Sequence, residues 1–309
     1  MKKLQIGMVD LDTSHPKVWL PLLLSMGHEV IGVYDSGTVY PEGYDAEFAA
    51  EYGINKVYTS LDEMAENIDV AIIHSCNWDL HIERARPFVE AGKAVLIDKP
   101  MAGNIKDLHQ LLEWESQGAR ITGGSALRYV NEVNEWLSGH SPNDLIYTSV
   151  GCSTDEYNYG IHAYSLLHGI LGPGIESVRY LGTRIQKQIE ITWMDGRRGM
   201  VSIGKTKGYL PFYATAVTEK DVSHFQVDNK QLYKPMLETV LPYLAGDAPA
   251  TVSLESLIEV ELAAIAAKIS WQKNGDRIFL KDIAFNDPGY DGMRFADNYR
   301  RQKLGGNKA

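Results

Sequence analysis

Up to about residue 125, short uninterrupted apolar runs alternate with helical patterns. Residues 4–9, 30–34, 70–73 and 94–97 are apolar without in-and-out alternation, which predicts strands buried on both faces of a parallel sheet. Between them the spacing predicts helices. Residues 16–26 start after Thr13 or Ser14 with Pro16 in the first turn, and stop at Gly27. Residues 45–52, 80–91 and 104–117 are each followed by a glycine: Gly53, Gly92 and Gly118. This rhythm of strand, helix and strand predicts a doubly wound sheet with ligands at the carboxyl ends of its strands.

Beyond residue 125 the pattern changes. Residues 145–150, 176–185, 188–194, 198–205, 213–219 and 223–227 alternate or are β-branched, with Gly and Pro between them. Strands in succession without intervening helices predict a mainly antiparallel sheet. Helices over 232–245 and 254–273 close the region. In the second, Leu254, Leu257, Ile258, Leu262, Ile265, Ala266 and Ile269 recur at three- and four-residue spacing and predict one buried stripe. The fold class expected is α/β: an N-terminal Rossmann-type parallel sheet, then a C-terminal α+β domain with an open, mainly antiparallel sheet. The expected limits are 1–125 for the first domain, 126–285 for the second, and 286–309 for a surface-draped arm carrying Tyr290, Phe295 and Tyr299 among charges.

Composition narrows the class. The 309 residues suit two domains, and 44% hydrophobic with 23% charged residues is an ordinary globular balance. A formal charge of −10 argues against nucleic acid as a partner, since phosphate binding needs clustered Lys and Arg. Cys76 and Cys152 lie too far apart for a CxxC metal site or a disulfide framework. The most apolar stretch, residues 18–24, is too short for a membrane span and contains Pro21. The start of the chain does not resemble a signal peptide, and a cytoplasmic protein without membrane or nucleic-acid partners is expected.

The most informative segment runs Ala-Gly-Lys-Ala-Val-Leu-Ile-Asp98-Lys99-Pro100. It puts Lys99 at the carboxyl end of a buried strand, where desolvation disfavours the ammonium and makes the amine a candidate general acid/base. The alternative is a structural lysine paired with Asp98. His162, in Gly160-Ile-His162, is either a second proton-handling group or a satisfied structural histidine. His168, inside an apolar helical run, reads as core.

These motifs, with His81 before them, Arg128-Tyr129 after them and the segment from Tyr157 to Gly172, resemble the glucose–fructose oxidoreductase/inositol dehydrogenase/MocA (Gfo/Idh/MocA) family over nearly the whole chain. The resemblance implies an enzyme that passes a hydride between nicotinamide and a carbinol carbon of a sugar, polyol or related hydroxy compound. It implies Lys99 and His162 as catalytic residues, with Lys99, Arg128, Asn158 and His162 on the substrate. It also implies cofactor contacts from Gly7, Asp12, Thr13, Ser14, His15, Asp35, Cys76, Asn77, His81 and Asp98. A homodimer or homotetramer through the C-terminal sheet is expected, as in relatives.

The chain departs from the family at three places. Where the G-x-G-x-x-G fingerprint belongs it has Asp10, Asp12 and His15. Two unit charges about 4 Å apart repel by about 4 kcal/mol at an effective dielectric of 20, so aspartates there oppose a diphosphate unless they turn away. The helix start at Thr13-Ser14-His15 still offers N–H groups and hydroxyls to an anion. Asp35, after the second strand, stands where an acid holds the adenine ribose, which favours NAD over NADP; a turn residue in Asp-Ser-Gly is the alternative. Asn158 replaces the family's usual Asp four residues before the histidine, leaving Asp155 or Glu156 as substitutes. His74-Ser-Cys76-Asn77-Trp78 replaces a Thr-Pro-type turn beneath the nicotinamide. Asp10, Asp12, His15 and His74 converge, but a hydrogen-bonded polar loop is the expected reading and no metal is assigned. An isomerase, lyase or hydrolase, or a sugar or dinucleotide sensor on the same fold, are the competing readings.

Overall fold

A computed structural model describes residues 2–305. The chain divides into two compact units. The first takes the chain up to Gly123, then Val240–Leu254, then the chain from Asp291 on; the second takes Gly124–Thr239 and Glu255–Tyr290.

The first unit is built from β1 (Gln5–Val9), α1 (His15–Ser25), β2 (Glu29–Tyr34), α2 (Tyr44–Tyr52), β3 (Lys56–Val57), α3 (Leu61–Asn67), β4 (Val70–Ile73), α4 (His81–Glu90), β5 (Ala94–Asp98), α5 (Ile105–Ser116) and β6 (Ile121–Gly124). The strands lie in the order β3-β2-β1-β4-β5-β6, so the direction of winding reverses between β1 and β4. That is the crevice where open α/β sheets take their ligands. β4 and β5 are buried at every position, as strands covered on both faces must be. Three elements lie outside the predicted pattern: β3, only two residues long, α3, whose N-cap Ser60 accepts from the Glu63 N–H, and the short strand β6. β6 packs so closely on β5 that a Cβ at Gly123 would stand 2.1 Å from the Ile97 carbonyl oxygen.

The segment from residue 286 is more than a draped arm. It carries α10 (Gly292–Gly305), which belongs to the first unit. Both main-chain N–H groups at its start donate to one Asp79 carboxylate oxygen, Gly292 at 2.9 Å and Met293 at 3.1 Å. A carboxylate at a helix N-terminus answers both the unpaired donors and the helix dipole.

The second unit contains α6 (Asn131–Gly139), β7 (Leu145–Gly151), α7 (Gly160–Leu171), β8 (Ile175–Thr183), β9 (Lys187–Trp193), β10 (Arg198–Ile203), β11 (Tyr213–Thr218), β12 (Val222–Gln226) and β13 (Ile278–Phe279). Between them in sequence run α8 (Tyr233–Leu244) and α9 (Leu254–Gln272), and the division between units falls within α8 and at the start of α9. The seven-stranded sheet has the order β12-β11-β7-β10-β9-β8-β13, antiparallel except for the β7–β10 pair. Ile189, Ile191, Val201, Ile203, Ala214 and Ala216 are buried on one face. The opposite face carries Gln188, Glu190, Ser202 and Thr215 beside Met200 and Val217, all partly exposed. It is therefore mixed, not a continuous apolar patch.

α9 differs from the single stripe expected of it. Leu254, Ile265 and Ala266 are buried, but so are Val260, Glu261, Ala263, Ala264 and Ala267, while Leu262 and Ile269 are partly exposed. Small alanines let neighbours approach on several sides, so the helix is packed nearly all round.

Gly123→Ala should force β5 and β6 apart. It is expected to cost about 1–3 kcal/mol, as overpacking does, and to lower the urea midpoint of unfolding accordingly.

Candidate functional site

In the first unit, the loop leaving β1 does not present its acids to solvent. Asp10 sits in a left-handed backbone conformation (φ 57°) and is fully buried. Its carboxylate accepts from the Ser36 N–H at 3.0 Å, from Arg84 Nε of α4 at 3.2 Å, and from the Ser75 hydroxyl. Arg84 supplies the opposite charge that a buried carboxylate requires. The repulsion expected from Asp10 is thus answered inside the protein. Neither Arg84 nor Ser75 was singled out in the sequence, because their pairing joins segments about 65 to 75 residues apart.

Asp12 is also buried. Its Oδ2 accepts from the Cys76 N–H at 2.8 Å, while Oδ1 has no hydrogen-bond partner. Burial, then the neighbouring Asp10 and Asp35, push its carboxyl up to about 7, against a donor from the Cys76 main chain that works the other way. Near neutral pH Asp12 is therefore protonated much of the time, and its charge toward a diphosphate falls. Asp35 is half-buried, takes long contacts from the Leu11 and Gly37 N–H groups (3.5 and 3.4 Å), and is pushed up to about 6 by burial and Asp10. Above that pH it is an anion where a ribose would lie.

α1 keeps an anion-receptive start. It has no acidic residue in its first turn, Ser14 makes no side-chain cap, and Thr13 Oγ1 accepts from the His15 N–H at 3.1 Å. His15 itself turns inward: Nδ1 meets Asp98 Oδ2 at 2.5 Å and its ring stacks on Trp19. Gly7 lies within β1, where a Cβ would meet Met64 Sδ of α3 at 2.9 Å, so its smallness serves sheet–helix packing. The residues present fit a dinucleotide: an acid for the ribose, a helix start for the diphosphate, and aspartates whose charge is neutralised or suppressed.

At the end of β5, Asp98 is buried and uses both oxygens. Oδ1 accepts from the Lys99 main-chain N–H at 2.7 Å, while Oδ2 faces His15 and, at 3.4 Å, His74. Burial alone would raise this carboxyl, but the two imidazoles hold it well below the usual range. Lys99 is half-buried; burial and then Asp12 push the Cys76 thiol up, and the Lys99 charge opposes them only weakly. His81 is fully buried with Nδ1 on the Met101 carbonyl (3.0 Å) and Nε2 on the Ser75 carbonyl (2.9 Å), so it pins two loops together. Asn77 caps the turn after it, accepting from the Asp79 N–H. Among the described residues no group of three or more His, Cys, Asp or Glu is arranged to hold a metal ion.

In the second unit, His162 stands in the first turn of α7 and is 6% exposed. Ser125 Oγ lies 2.6 Å from its Nδ1, and the rings of Tyr159 and Phe212 meet it edge-on at 5.4 and 5.1 Å. These three fix the ring, and none had been picked out. Asp155 accepts the Tyr157 and Tyr159 N–H groups, and Glu156 pairs with Lys187, so neither is in position to replace the missing acid without giving up a partner. Asn158 is half-buried. Arg128 differs from its expected place: its guanidinium contacts His168 Nδ1, whose Nε2 meets Glu259 Oε2 at 3.1 Å. Glu259 also takes the Gly174 and Ile175 N–H groups, so Arg128 joins a structural network that ties α7 and α9 to the start of β8. Lys205 and Lys207 are exposed.

A parallel sheet in this strand order, with a helix start after β1 and an acid after β2, defines a Rossmann-type nucleotide-binding unit. Residues 5–123 match the Gfo/Idh/MocA family model described as oxidoreductase family, NAD-binding Rossmann fold. A 1,5-anhydro-D-fructose reductase from Ensifer adhaerens is 37% identical over 79 residues, 25% of this chain and 24% of that protein. Similar folds include a probable dehydrogenase from Thermotoga maritima (TM-score 0.78, 16% identity, 91% of this chain and all of that one). Another is a myo-inositol dehydrogenase from Lactobacillus casei in complex with NAD(H) and myo-inositol (TM-score 0.76, 14% identity, 94% and 99%). No helix among the described residues is long and apolar enough to cross a membrane.

The raised Asp12 carboxyl has a sign that can be read in stability. The folded state binds its proton more tightly than the unfolded chain, whose value is near 3.8, so this contribution is complete below that pH and is lost as pH rises through about 7. Asp12→Asn should therefore be more stable than the parent by about 1–3 kcal/mol at pH 8, with the difference vanishing toward pH 4 in urea titrations.

Proposed function

We propose that the protein is an NAD-dependent oxidoreductase that moves a hydride to or from a carbinol carbon of a sugar, polyol or related hydroxy compound. One observation carries this reading: a half-buried lysine, Lys99, directly follows β5 of a Rossmann-type unit whose sequence matches an NAD-binding family model. In that unit Thr13, Ser14 and the start of α1 would hold the diphosphate, and Asp35 the ribose. An ionised Asp35 would repel a 2′-phosphate, which favours NAD over NADP.

When bound, the nicotinamide supplies or takes the hydride. The chain's own residues handle the proton. In the oxidising direction the substrate hydroxyl gives its proton to the Lys99 amine as the carbonyl forms; in the reducing direction the ammonium returns it. In the second unit, His162 is assigned a proton-handling role on a substrate hydroxyl. Ser125 at Nδ1 sets the ring's orientation. The partial likeness to an anhydrofructose reductase, and the fold shared with an inositol dehydrogenase, support a polyhydroxylated substrate. A homodimer or homotetramer through the second unit's sheet remains part of this reading, with the mixed face of Gln188, Glu190, Met200 and Val217 as the contact.

The test is a screen of polyols with NAD, and of keto-sugars with NADH, read at the nicotinamide absorbance. Lys99→Ala should fold normally and lose about 10²–10⁴-fold in kcat on the best substrate. Lys99→Ala turning over like the parent would overturn the assignment, and no turnover by the parent on any hydroxy compound would overturn the reading.

A further inference from the structure

Three loops meet at the crevice of the first unit: those following β1, β2 and β4. α10 lies on all three. Its start is held by Asp79, in the loop after β4, and seats so closely that a Cβ at Gly292 would stand 2.6 Å from Asn77 Oδ1. Phe295 packs on Trp78 with ring centroids 5.1 Å apart. One turn on, Ala296 is 3% exposed in a cluster with Cys76, from the loop after β4, and Val39, from the loop after β2; Tyr40, Phe295 and Tyr299 pack against it. Arg300 Nη1 reaches the Thr38 carbonyl at 3.5 Å. Since β1 lies between β2 and β4 in the sheet, a helix joining these two loops crosses the end of β1. Tyr299 bears this out: its phenol is pushed up by burial and then by Tyr40, Cys76 and Asp12, and Asp12 is in the loop after β1, at the second glycine position of the fingerprint.

We propose that α10 is an internal occupant of the crevice that would take the adenosine half of the dinucleotide, and that it must move aside for the cofactor to bind. This rests on the nicotinamide reading above. The rings of Phe295 and Tyr299 lie among the loop residues that line an adenosine site in a sheet of this order. The hold is also weak enough to release. Gly292 and Ala296 are the buried residues of α10, and the rest of its fourteen residues are partly or fully exposed. Elements with few buried contacts open at low cost. The apparent cofactor affinity is then the intrinsic one reduced by the fraction of molecules whose helix is out.

The experiment uses the full chain. Ala296→Glu puts a carboxylate into the cluster and should expel the helix. NADH should bind this variant at least about tenfold tighter than the parent. Cys76, 4% exposed beneath Ala296, should react with a thiol reagent at least about tenfold faster, with Cys152 as the internal buried reference. In the unaltered chain, saturating NADH should speed amide exchange over residues 292–305. Equal and measurable NADH affinity in parent and variant overturns the competition and leaves the nicotinamide reading standing. Weaker binding by a folded variant, or slower exchange of α10 with NADH, overturns it too, because the helix would then be a wall of the bound site. No binding by either protein at millimolar NADH sinks both. If Ala296→Glu fails to fold, the exchange measurement on the unaltered chain decides.

Discussion

The first unit depends on how four carboxylates are kept at the carboxyl ends of parallel strands. Asp10, Asp12 and Asp98 are buried and Asp35 is half-buried. The three buried ones are each handled differently. Asp10 takes a full opposite charge from Arg84; Asp98 is stabilised by His15 and His74; Asp12, with one orphaned oxygen, is handled by protonation. Removing one partner from such a set leaves a buried charge alone, which costs about 3–5 kcal/mol, more than the pair is worth against an apolar substitute. The arrangement is therefore better understood as a constraint that fixes the loops than as a source of stability.

Much of this was legible in the sequence because parallel strands announce themselves. β1, β2, β4 and β5 are continuous apolar runs, and the change of pattern after residue 125 marks the antiparallel sheet, whose strands β7–β12 appear where alternation put them. What escaped was short or non-local. β3 has two residues, too few for any period. α3 is seven residues long, although Ser60 followed by Glu63 carried a start signal. The tail was read by its charges; its signal was the spacing of Phe295, Ala296 and Tyr299, one apolar strip on an otherwise charged helix.

The site was legible as residue types and not as partners. Asp10 and Asp12 stand in the sequence where the fingerprint glycines belong, but their direction depends on Arg84, Ser75 and Cys76, which only folding brings beside them. His162 could be picked out by its Gly-x-His context, whereas Ser125 carries no local mark. Arg128 reads as a ligand for its place near a strand end; in the structure its guanidinium meets His168 of α7, which in turn meets Glu259 of α9, two residues whose positions within helical runs gave no hint of a shared network.

The loop substitutions and the tail are physically one feature. Glycine at the second fingerprint position exists so that backbone can approach a diphosphate. Asp12 keeps that path open only by folding its carboxylate back onto the Cys76 N–H. Cys76 in turn buries its side chain in a cluster with Ala296 of α10, against which Tyr299 packs. Lifting the helix would re-hydrate Asp12, lower its affinity for that proton and return negative charge to the loop. If α10 yields to the cofactor as proposed, helix position and the protonation of Asp12 would be linked through Cys76. A glycine in place of Asp12 would remove the proton from that linkage and leave the helix competing through its aromatic rings alone.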